Sequence, residues 1–295
     1  MTAITRILCP VDFSEESRHA IDYATAIARW YNASLTGLYV YSPMFTPDPG
    51  SPEDELKRLH AETLACFTGA AVGVSLEVIV DVGRPAHQIL ARAAALPADL
   101  IVMGTHGASG FEHLVLGSVT EKILRKAPCP VLTVPPRART ASSLPFKRLV
   151  CAVDFSEWSL KALEMTFSLA RESDAAVTLV HVIEWPWHEP PPPRLSDLPR
   201  EQATALAEFR RSLEQSAMAQ LKALTPAAML DRDEAANRVV HGTPHVEVLR
   251  VAADTHADLI VMGVHGRNAA DLLLFGSTTS QLVRRATCPV LTVRG

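Results

Sequence analysis

Long apolar runs are missing from this chain: no stretch approaches the roughly 20 consecutive apolar residues that a membrane helix needs. The start, Met1-Thr2-Ala3-Ile4-Thr5-Arg6, lacks the basic region, apolar stretch and small-residue cleavage site of a secretory signal, so the cytoplasm is the expected compartment. An excess of one charge is missing too. The net charge is −4, from 28 Lys and Arg against 32 Asp and Glu, and the pI is near 6.3. Neither nucleic acid nor an anionic membrane is offered a basic partner. Cysteines number five, an odd count. Cys9, Cys129, Cys151 and Cys288 lie in or beside predicted buried strands, which reads as small apolar core residues and not as a disulfide frame. Two nucleotide fingerprints are also absent: no Gly-x4-Gly-Lys-Ser/Thr loop, and no Gly-x-Gly-x-x-Gly behind the first strand.

What is present is a globular composition, 48% hydrophobic and 20% charged over 295 residues, enough for two ordinary domains. The two are copies. Ile7-Leu8-Cys9-Pro10-Val11-Asp12-Phe13-Ser14 returns as Leu149-Val150-Cys151-Ala152-Val153-Asp154-Phe155-Ser156, an offset of 142. From Gly83-Arg84-Pro85 against Gly242-Thr243-Pro244 onward the offset is 159, through Cys129–Val134 against Cys288–Val293. The second copy therefore carries 17 more residues, the difference of 142 and 159, between its second and third strands. So long a period marks a duplicated domain, since solenoid repeats run at about 20–50 residues. Residues 1–136 form the first domain, 137–146 a linker and 147–295 the second.

Within the first copy the apolar runs at 6–12, 34–41, 75–82, 99–103 and 130–134 read as strands. Helices are expected between them. Ser14 caps the first, with Ala20, Ile21, Ala24, Ile27, Ala28 and Tyr31 as its apolar face. Leu56, Leu59, Leu64 and Phe67 mark the second, Pro85 opens the third, and 117–126 forms the fourth. The second copy follows suit, with Leu160, Leu163, Phe167 and Ala170 on its first helix. Strands that are apolar throughout, separated by helices, imply a parallel sheet covered on both faces. The fold class is therefore α/β: two tandem doubly wound five-stranded parallel-sheet domains, Rossmann-like. In the order 3-2-1-4-5 a ligand would sit between strands one and four, where the winding reverses.

Those strands end at Asp12 and Gly104, and at Asp154 and Gly263. The fourth runs into Gly104-Thr105-His106-Gly107 and then Gly117-Ser118; its twin runs into Gly263-Val264-His265-Gly266 and Gly276-Ser277. Glycines let amide groups approach an anion, and Gly-Ser opens a helix whose first N–H groups lack partners. Thr120, Thr278 and Thr279 would add hydroxyl donors, and Asp12 and Asp154 would accept from ribose hydroxyls. His106 and His265 read as loop-bound histidines and not catalysts, for no nucleophile partners them. His241 and His245 straddle Gly242 and Pro244, a poor spacing for a metal.

The chain resembles the universal stress proteins, in tandem form, over essentially its whole length. Both copies carry Gly-x2-Gly-x9-Gly-Ser, the pattern of that family's nucleotide-binding members, and both carry Val-Asp-Phe-Ser. The resemblance implies ATP across the strand-one and strand-four ends; Mg²⁺ is an optional companion, with Asp12 as its alternative holder, since one carboxylate per site makes a weak cation site without the phosphates. It implies that Asp12 and Asp154 hold the ribose and that the main chain of Val40 and Val182 reads the adenine edge. Met103-Gly104 and Met262-Gly263 would flank the sugar. Gly107, Gly117, Ser118, Val119 and Thr120, with Gly266, Arg267, Gly276, Ser277, Thr278 and Thr279, would surround the phosphates. Pairing through the last strands, Val131–Val134 and Val290–Val293, would make an intrachain pseudo-dimer, and a homodimer is a further expectation. The resulting function is an ATP-binding stress-response module for binding or signalling. A slow ATP hydrolase or phosphoryl-transfer enzyme, or a nucleotide-free scaffold, are the alternatives.

The copies are unequal. Arg267 follows Gly266 where Ala108 follows Gly107, and Glu121 becomes Ser280, so the second site is expected to bind ATP more tightly. Trp185-Pro186-Trp187-His188-Glu189 and Pro190–Pro193, in the insertion, read as a stiff connector before a long helix at about 200–224, with a lid over the adenine position as the alternative.

Overall fold

The computed structural model describes residues 4–42, 51–105, 116–139, 144–184, 199–230, 235–266 and 276–294. The first repeat runs β1 (Arg6–Val11), α1 (Glu15–Tyr31), β2 (Ser34–Tyr41), α2 (Pro52–Thr68), β3 (Ser75–Val82), α3 (Pro85–Ala95), β4 (Leu100–Gly104), α4 (Ser118–Lys126) and β5 (Val131–Val134). The second runs β6 (Arg148–Ala152), α5 (Glu157–Ser173), β7 (Ala176–Ile183), α6 (Arg200–Leu224), the short α7 (Ala227–Leu230), β8 (Ala235–His241), α8 (Pro244–Asp254), β9 (Leu259–Gly263), α9 (Ser277–Arg285) and β10 (Val290–Val293).

The strands form one ten-stranded sheet in the order β3-β2-β1-β4-β5-β10-β9-β6-β7-β8. Each half has the expected 3-2-1-4-5 order, with parallel neighbours throughout. The halves meet where β5 and β10 pair antiparallel, Val290 opposite Thr133 and Thr292 opposite Val131. Two threonines reinforce this joint symmetrically. The Thr133 hydroxyl donates to Val290 O and the Thr292 hydroxyl to Val131 O, both at 3.2 Å. The pseudo-dimer is thus a continuous sheet, and its core is continuous as well. One apolar layer joins α1 and α5 beneath β1, β4, β6 and β9; the opposite layer holds α3, α4, α8 and α9. On the first face Tyr31 reaches across the joint to Glu172, 2.5 Å from its hydroxyl, and burial with that carboxylate raises its pKa.

Local chemistry explains the element ends. Ser14 and Ser156 cap α1 and α5, accepting from Ser17 N and Ser159 N, and Asn32 and Asp174 end those helices in the left-handed conformation. Pro85 and Pro244 occupy the first positions of α3 and α8. The face of α2 departs from expectation: Leu64 is exposed, and Leu59, Thr63 and Phe67 form the buried stripe. Thr63 escapes an apolar-only count, but its hydroxyl donates to Leu59 O at 2.7 Å, which removes the cost of burying it. The fourth strand begins one residue later than expected, at Leu100, because Asp99 has another task. Its Oδ2 accepts from Thr5 N, the Thr5 hydroxyl and Arg6 N at 2.7–2.9 Å, fastening the start of β1 to the start of β4. Asp258 repeats the device with Lys147 N and Arg148 N at 2.8 and 2.9 Å. Residues 185–193, read as a connector or lid, lie outside the described residues; α6 starts at Arg200, as expected. His241 ends β8 with its Nε2 at 2.6 Å from Glu214 of α6.

Candidate functional site

The winding reverses between β1 and β4, and between β6 and β9. Parallel strands whose crossovers lie on opposite faces leave a crevice at their carboxyl ends. Asp12 follows β1 directly and Asp154 stands one residue beyond β6, after Val153, and Gly104 and Gly263 are the last residues of β4 and β9. In the second repeat the structure brings Asp154 to the glycine loop. A Cβ placed on Gly266 would lie 2.8 Å from Asp154 Oδ2, so the loop main chain runs against the carboxylate. A side chain at 266 would fill that gap.

Each Asp is held by a turn of its own. Ser14 N and Oγ donate to Asp12 Oδ1 at 3.2 and 2.5 Å, and Ser156 N and Oγ to Asp154 Oδ1 at 3.0 and 2.5 Å. The intervening Phe13 and Phe155 take the left-handed conformation, φ 65° and 64°. A non-glycine residue there costs about 1–3 kcal/mol, strain that collects where a turn must aim a group. Each phenylalanine is backed by the matching residue of the second strand. Phe13 stacks on Tyr39 at 4.5 Å, and Phe155 meets His181 at 4.6 Å. His181 Nδ1 donates to Val153 O at 2.7 Å, tying β7 to the turn. Sequence reasoning missed this aromatic pair, although the repeat offset places Tyr39 opposite His181.

The second strand overhangs the crevice. The last β1 residue in register, Val11, faces Tyr39, so Val40 and Tyr41 have no β1 residue opposite them. On β7 the overhang comprises His181, Val182 and Ile183, beyond the Ala152–Val180 pair. Val40 and Val182 are among these overhanging residues.

Gly117 and Gly276 are the cap positions of α4 and α9, with Ser118 and Ser277 exposed in the first turn and Val119 and Thr278 half-buried beside them. The helices therefore present open N-termini at the same end of the sheet as the Asp residues. One expectation needs correcting. Thr120 and Thr279 are buried; Thr120 donates to Gly104 O at 3.1 Å, and Thr279 to Val264 O at 3.1 Å. Their hydroxyls latch the helix onto the end of the fourth strand and are not turned toward a ligand. The Met103 and Met262 side chains lie in the core layer under α4 and α9, leaving only their main chain to border the crevice. His265 is buried with its ring edge-on to Trp158 at 5.5 Å. His106, Gly107, Ala108 and Arg267 fall outside the described residues, and Gly266 is exposed at the crevice mouth. Among the described residues no group of three His, Cys, Asp or Glu could hold a metal ion, and no helix is long and apolar enough to cross a membrane.

A duplicated, doubly wound α/β protein with an acid, a glycine loop and a helix N-terminus at each switch point is thereby defined. The universal stress protein family model matches residues 3–135 and again 145–294, so the chain belongs to that family, with two units in tandem. A universal stress protein of Thermus aquaticus is 40% identical over 134 residues, spanning 43% of this chain and 96% of its own. Another, from Mycolicibacterium smegmatis, is 27% identical over 305 residues and spans 98% of this chain and 96% of its own. The crystal structure of a universal stress protein from Archaeoglobus fulgidus shares the fold, with a TM-score of 0.69 at 24% identity and 98% of each chain covered.

Proposed function

We propose that this protein is an adenine-nucleotide-binding module in which ATP lies across each switch point, and that occupancy serves binding or signalling under stress. One observation carries the reading. In the second crevice the Gly266 main chain runs against Asp154, a closeness that any Cβ would spoil, and both repeats set Asp, glycine and helix N-terminus at one sheet end. The donor set fits the ligand: carboxylate acceptors for ribose hydroxyls, and N–H groups with the positive end of a helix dipole for phosphates. The overhanging β2 and β7 main chain supplies a polar edge for the base. Mg²⁺ would enter on the nucleotide's phosphates, since each site brings one Asp of its own.

The second site is the tighter one in this proposal. The first turn of α4 carries Glu121, and that of α9 has no acid. Protein denatured by heat should release ATP on chromatography, and calorimetric titration should show two affinities. Asp154→Ala should abolish the tighter one and Asp12→Ala the weaker. Absence of ATP in both experiments would leave a nucleotide-free scaffold; equal affinities would remove the asymmetry.

A further inference from the structure

The chain's last strand delivers a cation that has no equivalent in the first repeat. In β10 Val293 stands opposite Gly263, and Val293 O accepts from Val264 N at 3.0 Å, so the next residue, Arg294, lies alongside the start of the second glycine loop. Side chains alternate along a strand. Leu291 and Val293 belong to the α1–α5 layer and Val290 to the opposite one, which turns Arg294 toward the face of α4 and α9. There its Nη1 donates to Arg125 O, in the last turn of α4, a helix of the other repeat. The N-terminus of α9 stands over the same loop, latched through Thr279 to Val264 O. Arg294 therefore shares a face, and an end of the sheet, with Ser277. The corresponding position in the first repeat is Pro135, after Val134, which stands opposite Gly104.

Two further substitutions point the same way. Gly104 abuts Glu16, with the Glu16 main chain and Cβ 3.3 Å from a notional Cβ on the glycine, whereas Gly263 abuts Trp158 in the same manner. Glu121 in the first turn of α4 is replaced by Ser280 in α9. The start of the first loop thus packs on the main chain of a glutamate, with a second glutamate in the first turn of α4, where the second repeat has a tryptophan, a serine and an arginine. These positions are far apart in sequence, and only the fold assembles them.

Resting on the nucleotide reading above, we propose that Arg294 sets the ligand class of the second site: it selects a polyphosphate, with its guanidinium oriented by the first repeat's α4, while the first site, with Glu121 in the first turn of its helix and Pro135 in place of the arginine, favours ligands of lower charge. An arginine anchored by one N–H to a main-chain carbonyl keeps further donors for phosphate oxygens.

The test compares ATP with adenosine, which lacks the phosphates, in titrations of wild type, Arg294→Gln, Arg294→Lys and a chain ending at Val293. Trp158 fluorescence reports the second site, since its indole lies against His265 of that loop. Arg294→Gln and the shortened chain should lower second-site ATP affinity by about 10-fold, the size of one charge-assisted hydrogen bond, with adenosine unchanged. Arg294→Lys should retain part of the difference. Equal losses for ATP and adenosine, or no loss for either, would overturn the assignment, as would a wild-type second site that prefers adenosine. Wild type that binds neither ligand would sink the nucleotide reading itself, and this one with it. Because the shortened chain removes the cation without a substitution, a folding defect in one variant would not leave the question open.

Discussion

Replacing Gly263 and Gly104 with alanine, one at a time, separates two glycines that the sequence presents as equals. On Gly263 a Cβ would come within 2.8 Å of the Trp158 carbonyl carbon and Cβ, and 3.0 Å of Ser159 N. Carbon atoms settle at about 3.5–4.0 Å, so α5 must retreat from β9 by about 0.7 Å, and a gap of that size forfeits a quarter to a half of each pair's attraction. Overpacking of this kind costs about 1–3 kcal/mol. Against it stands a gain of about 0.4–1 kcal/mol from a stiffer unfolded chain. The Gly263→Ala protein should therefore lose about 1–2 kcal/mol net. On Gly104 the nearest atoms, Glu16 C, Cβ and O, are 3.3 Å away, a clearance that a few tenths of an ångström restores. Gly104→Ala should stay within about 0.5 kcal/mol of wild type. Urea unfolding followed by circular dichroism, with m-values compared, measures both. Equal losses, or a larger loss at 104, would refute the reasoning.

Two further outcomes follow from burial and hydrogen bonding. Burial of Asp99 opposes its charge, but the donors from Thr5 and Arg6 outweigh burial and hold its pKa below the usual aspartate value. Its stabilisation is thus present above the unfolded value of about 3.9 and lost as pH falls through the lower folded one. Asp99→Asn should be less stable than wild type at pH 7, with the gap closing in acid; a gap unchanged at pH 2 would contradict this. Among the cysteines, burial pushes the Cys129, Cys151 and Cys288 thiols up to about 12 and Cys9 higher still; it raises Cys66 too, but Cys66 is half-buried and the one within reach of solvent. A chromogenic disulfide at pH 8 should meet one fast thiol, absent in Cys66→Ser, and the other four only in denaturant; a second fast thiol in the folded protein would refute it.

The architecture was legible because it rests on local periodicity and repetition. Ser14 and Ser156 at their caps, Pro85 and Pro244 at first turns and the unbroken apolar strands are decided within a few residues of chain. The two offsets then made each reading twice. Leu64 was misread because an apolar count ignores a threonine that satisfies its own hydroxyl one turn back. Thr120 and Thr279 were misread for a related reason: a hydroxyl near a helix start looks like a ligand donor until the fourth strand's end is seen to lie beside it. Asp99 and Asp258, inside a motif read as plain strand, act through residues about 94 and 111 positions away.

By itself, then, the sequence determined the duplication, the strand–helix alternation and the end of the sheet that carries each Asp and each strand-ending glycine, since these depend on hydrophobic period, turn chemistry and the winding rule of parallel sheets. Tertiary structure alone decided that the two halves, expected to pair through their last strands, also share two continuous core layers, with Tyr31 joined to Glu172 across the joint. It also decided which hydroxyls face inward, how closely Gly266 approaches Asp154, and that Arg294, anchored on the opposite repeat, borders the second loop while Glu16 borders the first. Those are matters of contact between segments remote in the chain, where a difference of half an ångström or one side-chain turn changes the chemistry and leaves no period in the sequence.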